Sequence, residues 1–176
     1  MKKLMTSNII LVLASILFMS SHTALASDAD PKVVSSVDLN RYAGLWYEIA
    51  HAPNFFQRKC LRSTAEYVAT SPATVSVKNT CYKENGVTSD IQGTAAVVDI
   101  AEPAKLKVRF NFFARGDYWI VDLEPNYQWA VVSGPAKKSL FILARQAPMD
   151  SSVLTSILTS LKEKGFNTEE LIFDKY

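Results

Sequence analysis

Residues that carry out catalysis or bind metals are scarce in this 176-residue sequence, which has only two histidines and two cysteines. One histidine, His22, lies in a segment that we predict to be removed, so His51 is the single imidazole of the remaining chain. This excludes a paired-histidine zinc site. The sequence also lacks a Gly-x-Ser-x-Gly motif and a phosphate-binding glycine loop, and its carboxylates are scattered singly. We therefore predict no enzyme, no catalytic residues, no metal and no cofactor, with His51 in a loop before Pro53.

The chain also lacks an excess of one charge. It has 19 Lys and Arg against 17 Asp and Glu. Because residues 1–26 contain Lys2 and Lys3 and no acidic residue, the rest of the chain balances 17 basic with 17 acidic side chains. A protein without net charge is a poor candidate for binding nucleic acid, or an anionic membrane as its main partner.

The first 26 residues have the pattern of a secretory signal peptide. Lys2 and Lys3 precede an apolar run from Ile9 to Met19, and a small-x-small sequence ends at Ala26. We predict cleavage after Ala26, and export to the periplasm or the medium, followed by a flexible lead-in over residues 27–35. No cysteine follows the apolar run to carry acyl chains, so we expect a soluble protein. Association with the outer membrane is the alternative, and we leave open a peripheral contact with a membrane.

The two cysteines, Cys60 and Cys81, are expected to form one disulfide, because exported proteins fold in an oxidising compartment. A closed loop of this size stabilises the fold by about 3 kcal/mol. The alternatives are two buried thiols or a thiol nucleophile.

The rest of the sequence predicts an all-β fold. From Leu106 to Phe112 apolar residues alternate with polar ones, so Phe110 and Phe112 share the inward face of one strand. Turn signals separate eight such segments, and short connections make neighbouring strands antiparallel. A meander of eight strands closes into an up-and-down barrel that holds its own side chains and one small ligand. The predicted strands are Trp46–Ala50, Ser63–Thr70, Val75–Tyr82, Thr88–Asp99, Leu106–Phe112, Tyr118–Leu123, Trp129–Gly134 and Ser139–Arg145.

One helix is predicted, over Ser151–Lys164, with Asp150 as its N-cap and Gly165 as its stop. Its apolar stripe is one-sided, which places the helix on the outer wall of the barrel. A partner-binding amphipathic helix is the alternative. A short final strand follows at Leu171–Phe173.

A glycine and a tryptophan open the first strand, and an arginine ends the last one. Gly44 permits a tight turn, Trp46 begins an apolar strand, and the planar cation of Arg145 is suited to stack on the indole. Closure of the barrel makes the two strands neighbours, so we predict that these three residues form the structural floor of the barrel.

The order of these features resembles the lipocalin family, over residues 36–176. The resemblance is strongest to the subgroup of the bacterial lipocalin Blc and the apolipoprotein D type. Three segments carry it: Asn40-Arg41-Tyr42-Ala43-Gly44-Leu45-Trp46-Tyr47-Glu48-Ile49-Ala50, Tyr118-Trp119-Ile120-Val121-Asp122-Leu123-Glu124-Pro125-Asn126-Tyr127-Gln128-Trp129-Ala130 and Leu140-Phe141-Ile142-Leu143-Ala144-Arg145.

The resemblance implies which side chains line a ligand cavity. They are Tyr67, Asn79, Lys83, Phe110, Tyr118, Ile120, Phe141 and Leu143. For Phe110 this agrees with the alternation of its strand. Lys83, near the mouth, is a candidate partner for a carboxylate or a phosphate head group.

The resemblance and the inward aromatic face favour a lipid-binding protein. We expect it to hold a fatty acid or a lysophospholipid, to transport or store that ligand, and to serve maintenance of the cell envelope. The alternatives are a lipocalin-barrel enzyme with a thiol nucleophile, of the isomerase type, and a tetrapyrrole- or pigment-binding lipocalin. The sequence leaves open a monomer or a homodimer.

Overall fold

The structure is a computed structural model that describes residues 29–110 and 114–176. The predicted signal peptide and Phe112 lie outside the described residues. Among the residues that are described, no helix combines the length and the apolar character needed to cross a membrane.

The described chain is built almost entirely of antiparallel strands. Its elements, in order, are α1 (Leu39–Tyr42), β1 (Gly44–His51), β2 (Arg62–Ser71), β3 (Thr74–Tyr82), β4 (Thr88–Val97), β5 (Lys105–Arg109), β6 (Arg115–Leu123), β7 (Trp129–Ser133), a 3₁₀ turn (Pro135–Lys137), β8 (Leu140–Ala144), α2 (Ser151–Glu163) and β9 (Ile172–Phe173). Each of β1 to β8 pairs with the next strand, and β1 also pairs with β8, so the barrel closes. The predicted eight-stranded barrel is confirmed.

Two apolar layers follow from the period of two along each strand. The inner layer fills the barrel and includes Trp46, Val77, Leu106 and Val132. The outer layer lies between the barrel wall and α2, and its wall side chains occupy the alternate positions. They include Val131 and Ile142 from the wall, Ile157 and Leu161 from the helix, and Phe166 and Leu171 from the segment that follows.

Helix α2 lies against the outer wall, as predicted. The Asp150 side chain accepts hydrogen bonds from the backbone N–H groups of Ser152 and Val153, and Gly165 adopts a positive φ of 76° just after the helix. Leu154 and Leu158 pack on the same outer layer. The apolar stripe of the helix is therefore used within this fold.

The floor of the barrel is built around Arg145. Its guanidinium carbon lies 3.8 Å from the centroid of the Trp46 ring. Gly44 has a φ of 97°, and a Cβ there would lie 3.3 Å from an Arg145 nitrogen, so a side chain would be strained and crowded. The guanidinium also donates hydrogen bonds to the backbone carbonyls of Arg41, Tyr42, Ala43, Leu45 and Tyr127. One cation therefore fixes the ring and the backbone that turns beneath it.

Two segments differ from the sequence-based expectations. Strand β5 ends at Arg109, so Phe110 lies just beyond it, where its N–H donates to the carbonyl of Ala114. We expected a loosely held lead-in over residues 27–35, but its described part contacts the barrel. The Val34 N–H donates to the Ile120 carbonyl at 3.0 Å, and Asp30 accepts from the Ala136 N–H at 2.8 Å.

We predict that Arg145→Ala lowers the free energy of unfolding by about 2–3 kcal/mol, because it removes the ring stack and the charged donors to the carbonyls. Arg145→Lys keeps the charge without the planar fork and should recover only part of that loss. Urea denaturation measures both changes. A variant of normal stability with altered ligand selectivity would place Arg145 in the ligand site and contradict a structural role.

Candidate functional site

Most of the predicted cavity residues share the interior of the barrel. Tyr67, Ile120 and Leu143 belong to the buried inner layer, and Phe110, Tyr118 and Phe141 pack against it. Asn79 follows Val75 and Val77 on the same face of β3. Lys83 does not join them, because it lies just after β3, at the end of the barrel opposite Arg145.

A hydrogen-bonded set of three tyrosines lies inside this apolar interior. The Tyr42 and Tyr118 hydroxyls are 2.7 Å apart, and the Tyr67 hydroxyl donates to that of Tyr118 at 2.9 Å. Burial is the main cause that raises the pKa of all three groups above the ordinary value, so they stay protonated. Three O–H groups joined by two hydrogen bonds leave one proton for another acceptor. The set can thus donate to a polar atom of a ligand.

Sequence reasoning missed Tyr42 as a member of this set. Tyr42 ends α1, a one-turn helix capped by Asp38, whose carboxylate accepts from the backbone N–H groups of Asn40 and Arg41. The Asp38 position before this turn was the available signal, since aspartate is a favoured N-cap. The turn brings the Tyr42 ring within 4.9 Å of the Trp46 ring, measured between centroids.

Asn79 provides a second polar group in the interior. Its Oδ1 atom is buried and finds no hydrogen-bond donor among the described residues. A buried amide oxygen without a donor costs free energy, so this position favours a ligand hydroxyl or a water molecule. The interior therefore offers one spare donor at the tyrosines and one spare acceptor at Asn79.

Lys83 lies in a surface depression at the open end of the barrel. The depression is formed by the loop between β1 and β2 together with the start of β4 and the end of β3, and its lining is Phe55, Phe56, Arg58, Lys59, Cys81, Lys83 and Ser89. Two phenylalanines and three cations thus surround one concave patch. This group was not predicted from the sequence, apart from Lys83.

The Cys60–Cys81 disulfide is present and holds this depression together. Its two Cα atoms are 5.3 Å apart, and it joins the β1–β2 loop to the end of β3. Both cysteines of the chain are in this bond, so neither is a free thiol. The alternative of a thiol nucleophile therefore has no thiolate to act with in this structure.

Comparison with known proteins agrees with the barrel and its motifs. The sequence model of the lipocalin-like domain matches residues 37–175, almost all of the described chain. The chain belongs to the lipocalin family. The outer membrane lipoprotein Blc of Vibrio cholerae is 34% identical to this lipocalin over 167 residues, which cover 94% of this chain and 96% of the relative. Apolipoprotein D of Macaca fascicularis is 33% identical over 147 residues, which cover 77% of each chain.

Solved structures show the same fold at lower sequence similarity. Insecticyanin from the tobacco hornworm Manduca sexta superposes with a TM-score of 0.68 at 22% identity, covering 85% of each chain. At that identity the likeness concerns the barrel of this lipocalin and not its ligand.

A buried polar cluster lies where this lipocalin was expected to have a surface loop. His51 is the last residue of β1 and only 2% exposed, so its predicted loop position is wrong. Its Nδ1 atom lies 2.9 Å from a Glu48 oxygen and 3.5 Å from an Asp174 oxygen. The two carboxylates were not expected to meet, because they are far apart in sequence. Pairing of β1 with β9 brings them together.

This cluster links the C-terminal segment to the barrel wall. Beyond the Tyr47–Thr64 pair, β1 no longer pairs with β2. The C-terminal segment spans the gap, because the Asp174 N–H donates to the Ile49 carbonyl and the Lys175 N–H donates to the Leu61 carbonyl. The Asp174 side chain accepts from the Ser63 N–H, and the Tyr176 hydroxyl donates to the carbonyls of Glu48 and Ser63.

The charge of His51 decides how this cluster is stabilised. Burial alone would lower the pKa of His51, but the contacts with Asp174 and Glu48 outweigh it and raise the pKa to about 9. Burial also raises the pKa of Glu48. One ligand atom from each of Glu48, His51 and Asp174 lies within 4.8 Å of the others, so within the described part of the chain these three residues form a group that could hold a metal ion. A protonated imidazole places a positive charge beside the same two carboxylates.

We predict that this lipocalin loses stability as the pH rises from 6.5 to about 9, the ordinary and the raised pKa of His51. The folded state holds the proton more tightly than the unfolded chain, so the contribution is complete below the lower pKa and lost above the higher one. The free energy of unfolding should fall by on the order of 2–3 kcal/mol across this range. Urea denaturation at a series of pH values measures the change.

His51→Gln is the control for this prediction, because its side chain stays neutral at every pH. The decline between these pH values should disappear in the variant. An equal decline in both proteins would show that another group is responsible.

Proposed function

We propose that this lipocalin carries a fatty acid or a lysophospholipid in its barrel, and that it is a binding protein and not an enzyme. Membership of the lipocalin family supports a small hydrophobic ligand. The observation that carries the narrower proposal is the interior itself, where an apolar face of phenylalanine, isoleucine and leucine side chains contains one small group of tyrosine hydroxyls.

The chemistry of that interior suits an amphiphile with a long apolar chain. Each CH₂ group removed from water contributes about 0.8 kcal/mol, so an acyl chain reaches micromolar affinity after the costs of binding. The spare hydroxyl proton of the tyrosine set is a donor for a carboxylate or ester oxygen. One relative is apolipoprotein D, whose name refers to association with lipid, which supports the same ligand class.

We also propose that the protein works outside the cytoplasm, in transport or storage of its ligand for the cell envelope. The disulfide supports this location, because such bonds persist in oxidising compartments.

A fluorescent fatty acid should bind the delipidated protein, and oleate and lysophosphatidylcholine should displace it. Phe110→Ala removes a ring packed on the inner layer and should weaken binding about tenfold. Arg109→Ala changes the neighbouring exposed side chain, the last of β5, and should leave affinity unchanged. Circular dichroism confirms that each variant is folded.

Failure of every acyl ligand to bind the folded, delipidated protein would overturn this proposal. Equal effects of Phe110→Ala and Arg109→Ala would show that the ligand binds on the outer wall instead.

A further inference from the structure

Residues 27–176 have 17 basic and 17 acidic side chains, and this balance conceals a separation of charge between the two ends of the barrel. Among the described residues, the strand order places three loops at the open end: residues 52–61, 83–87 and 134–139. Five basic residues and one acidic residue occupy these loops: Arg58, Lys59, Lys83, Lys137 and Lys138, with Glu84.

The closed end has the opposite charge. Its loops and the segment after β8 contain four acidic residues and one basic residue: Asp99, Glu102, Glu124 and Asp150, with Arg145. Asp30, bonded to the Ala136 N–H, adds one acidic residue to the mouth, and Asp38 and Arg41 add one of each sign to the floor. The mouth then has five basic and two acidic residues and the floor five acidic and two basic, which composition alone does not reveal.

Two large apolar side chains project from the same positive end. Phe55 is 69% exposed and Phe56 is 84% exposed, and their rings contact each other edge to face with centroids 5.8 Å apart. The guanidinium carbon of Arg58 lies 4.0 Å from the Phe55 ring centroid. A soluble surface gains nothing from two adjacent exposed phenylalanines, so they indicate a partner.

The loop that presents these rings is held in place at three points. The Asn54 side chain accepts from the backbone N–H groups of Phe56 and Gln57 and forms a tight turn. The Gln57 side chain donates to the buried Glu48 carboxylate at 2.6 Å. Cys60 is tied to β3 by the disulfide. The exposure of the phenylalanines is thus a property of a fixed loop.

We propose that the open-end rim, defined by Phe55, Phe56, Arg58, Lys59 and Lys83, docks on the surface of a lipid bilayer that contains anionic phospholipid. All five side chains line the same depression. Aromatic side chains favour the interface between head groups and acyl chains, and each nearby Lys or Arg adds about 1 kcal/mol of attraction to an anionic leaflet.

The combination of charge and apolar surface selects this partner over others. A second copy of the chain, docked mouth to mouth, would bring two positive rims together. A nucleic acid would use the cations but leave the phenylalanines without an apolar phase. A bilayer interface satisfies both kinds of side chain, and it places the mouth of the barrel against the membrane.

Sedimentation with vesicles tests the proposal on exported protein without added ligand. The protein should bind vesicles of phosphatidylcholine with phosphatidylglycerol, and bind pure phosphatidylcholine at least about tenfold more weakly. Raising the salt concentration should weaken binding, because the charges are exposed. Inorganic phosphate, at constant ionic strength, should not compete.

Matched variants assign the binding to the rim. Replacing Phe55 and Phe56 together by Ser should weaken binding at least about tenfold. Ile100→Ser is the control, because Ile100 is 91% exposed but lies in a closed-end loop. The double variant Lys59→Glu with Lys83→Glu should likewise weaken binding. The double variant Lys78→Glu with Lys107→Glu makes the same change of charge on the barrel wall and should not weaken binding.

The proposal is overturned if the rim variants bind as well as the wild type, or if Ile100→Ser loses as much. Equal binding to both kinds of vesicle would also overturn it. The same variants are assayed for the fluorescent fatty acid in solution, so a failure of ligand binding is seen separately. Vesicle binding does not depend on which ligand the barrel takes.

Discussion

The fold depends on the pairing of β1 with both β2 and β8, since this one strand closes the barrel. β1 pairs with different strands along its length. Its first half pairs with β2, and a register shift between Glu48 and Ala50 adjusts its pairing with β8. Its last residues stay paired with β8 on one side, and on the other side they pair with β9 in place of β2. The C-terminal segment is therefore part of the closure, although it comes last in the chain.

The two ends of β1 are stabilised by different charged side chains. At Gly44 the floor depends on the Arg145 guanidinium, a cation that stays charged at every physiological pH. At His51 the junction of β1 with the C-terminal segment depends on an imidazole that lies beside two carboxylates. The imidazole loses its positive charge in mild alkali. The floor should therefore keep its geometry when conditions change, whereas the mouth should respond to them.

The sequence predicted the barrel well because its evidence was local. Alternation over Leu106–Phe112, the Asp150 cap and the Gly44–Trp46 start each depend on neighbouring residues. The sites that it missed depend on contacts between distant residues. His51 and Asp174 meet only through β9, and Tyr42 joins Tyr118 only after a short helix turns it inward. The charge separation was hidden for the same reason. Composition gives only the total charge, whereas the topology determines which charged residues lie at each end of the barrel.

Glu48 connects the closure of the barrel to the surface at its mouth. Its carboxylate lies against His51 and also accepts from Gln57, in the loop that presents Phe55 and Phe56. Losing either contact would leave the buried carboxylate less well compensated, which costs free energy. The position of the exposed rings thus depends on the same buried group that fixes the C-terminal segment. A surface that must present apolar side chains to a partner needs this kind of internal support, since an unsupported loop would fold its phenylalanines away from water.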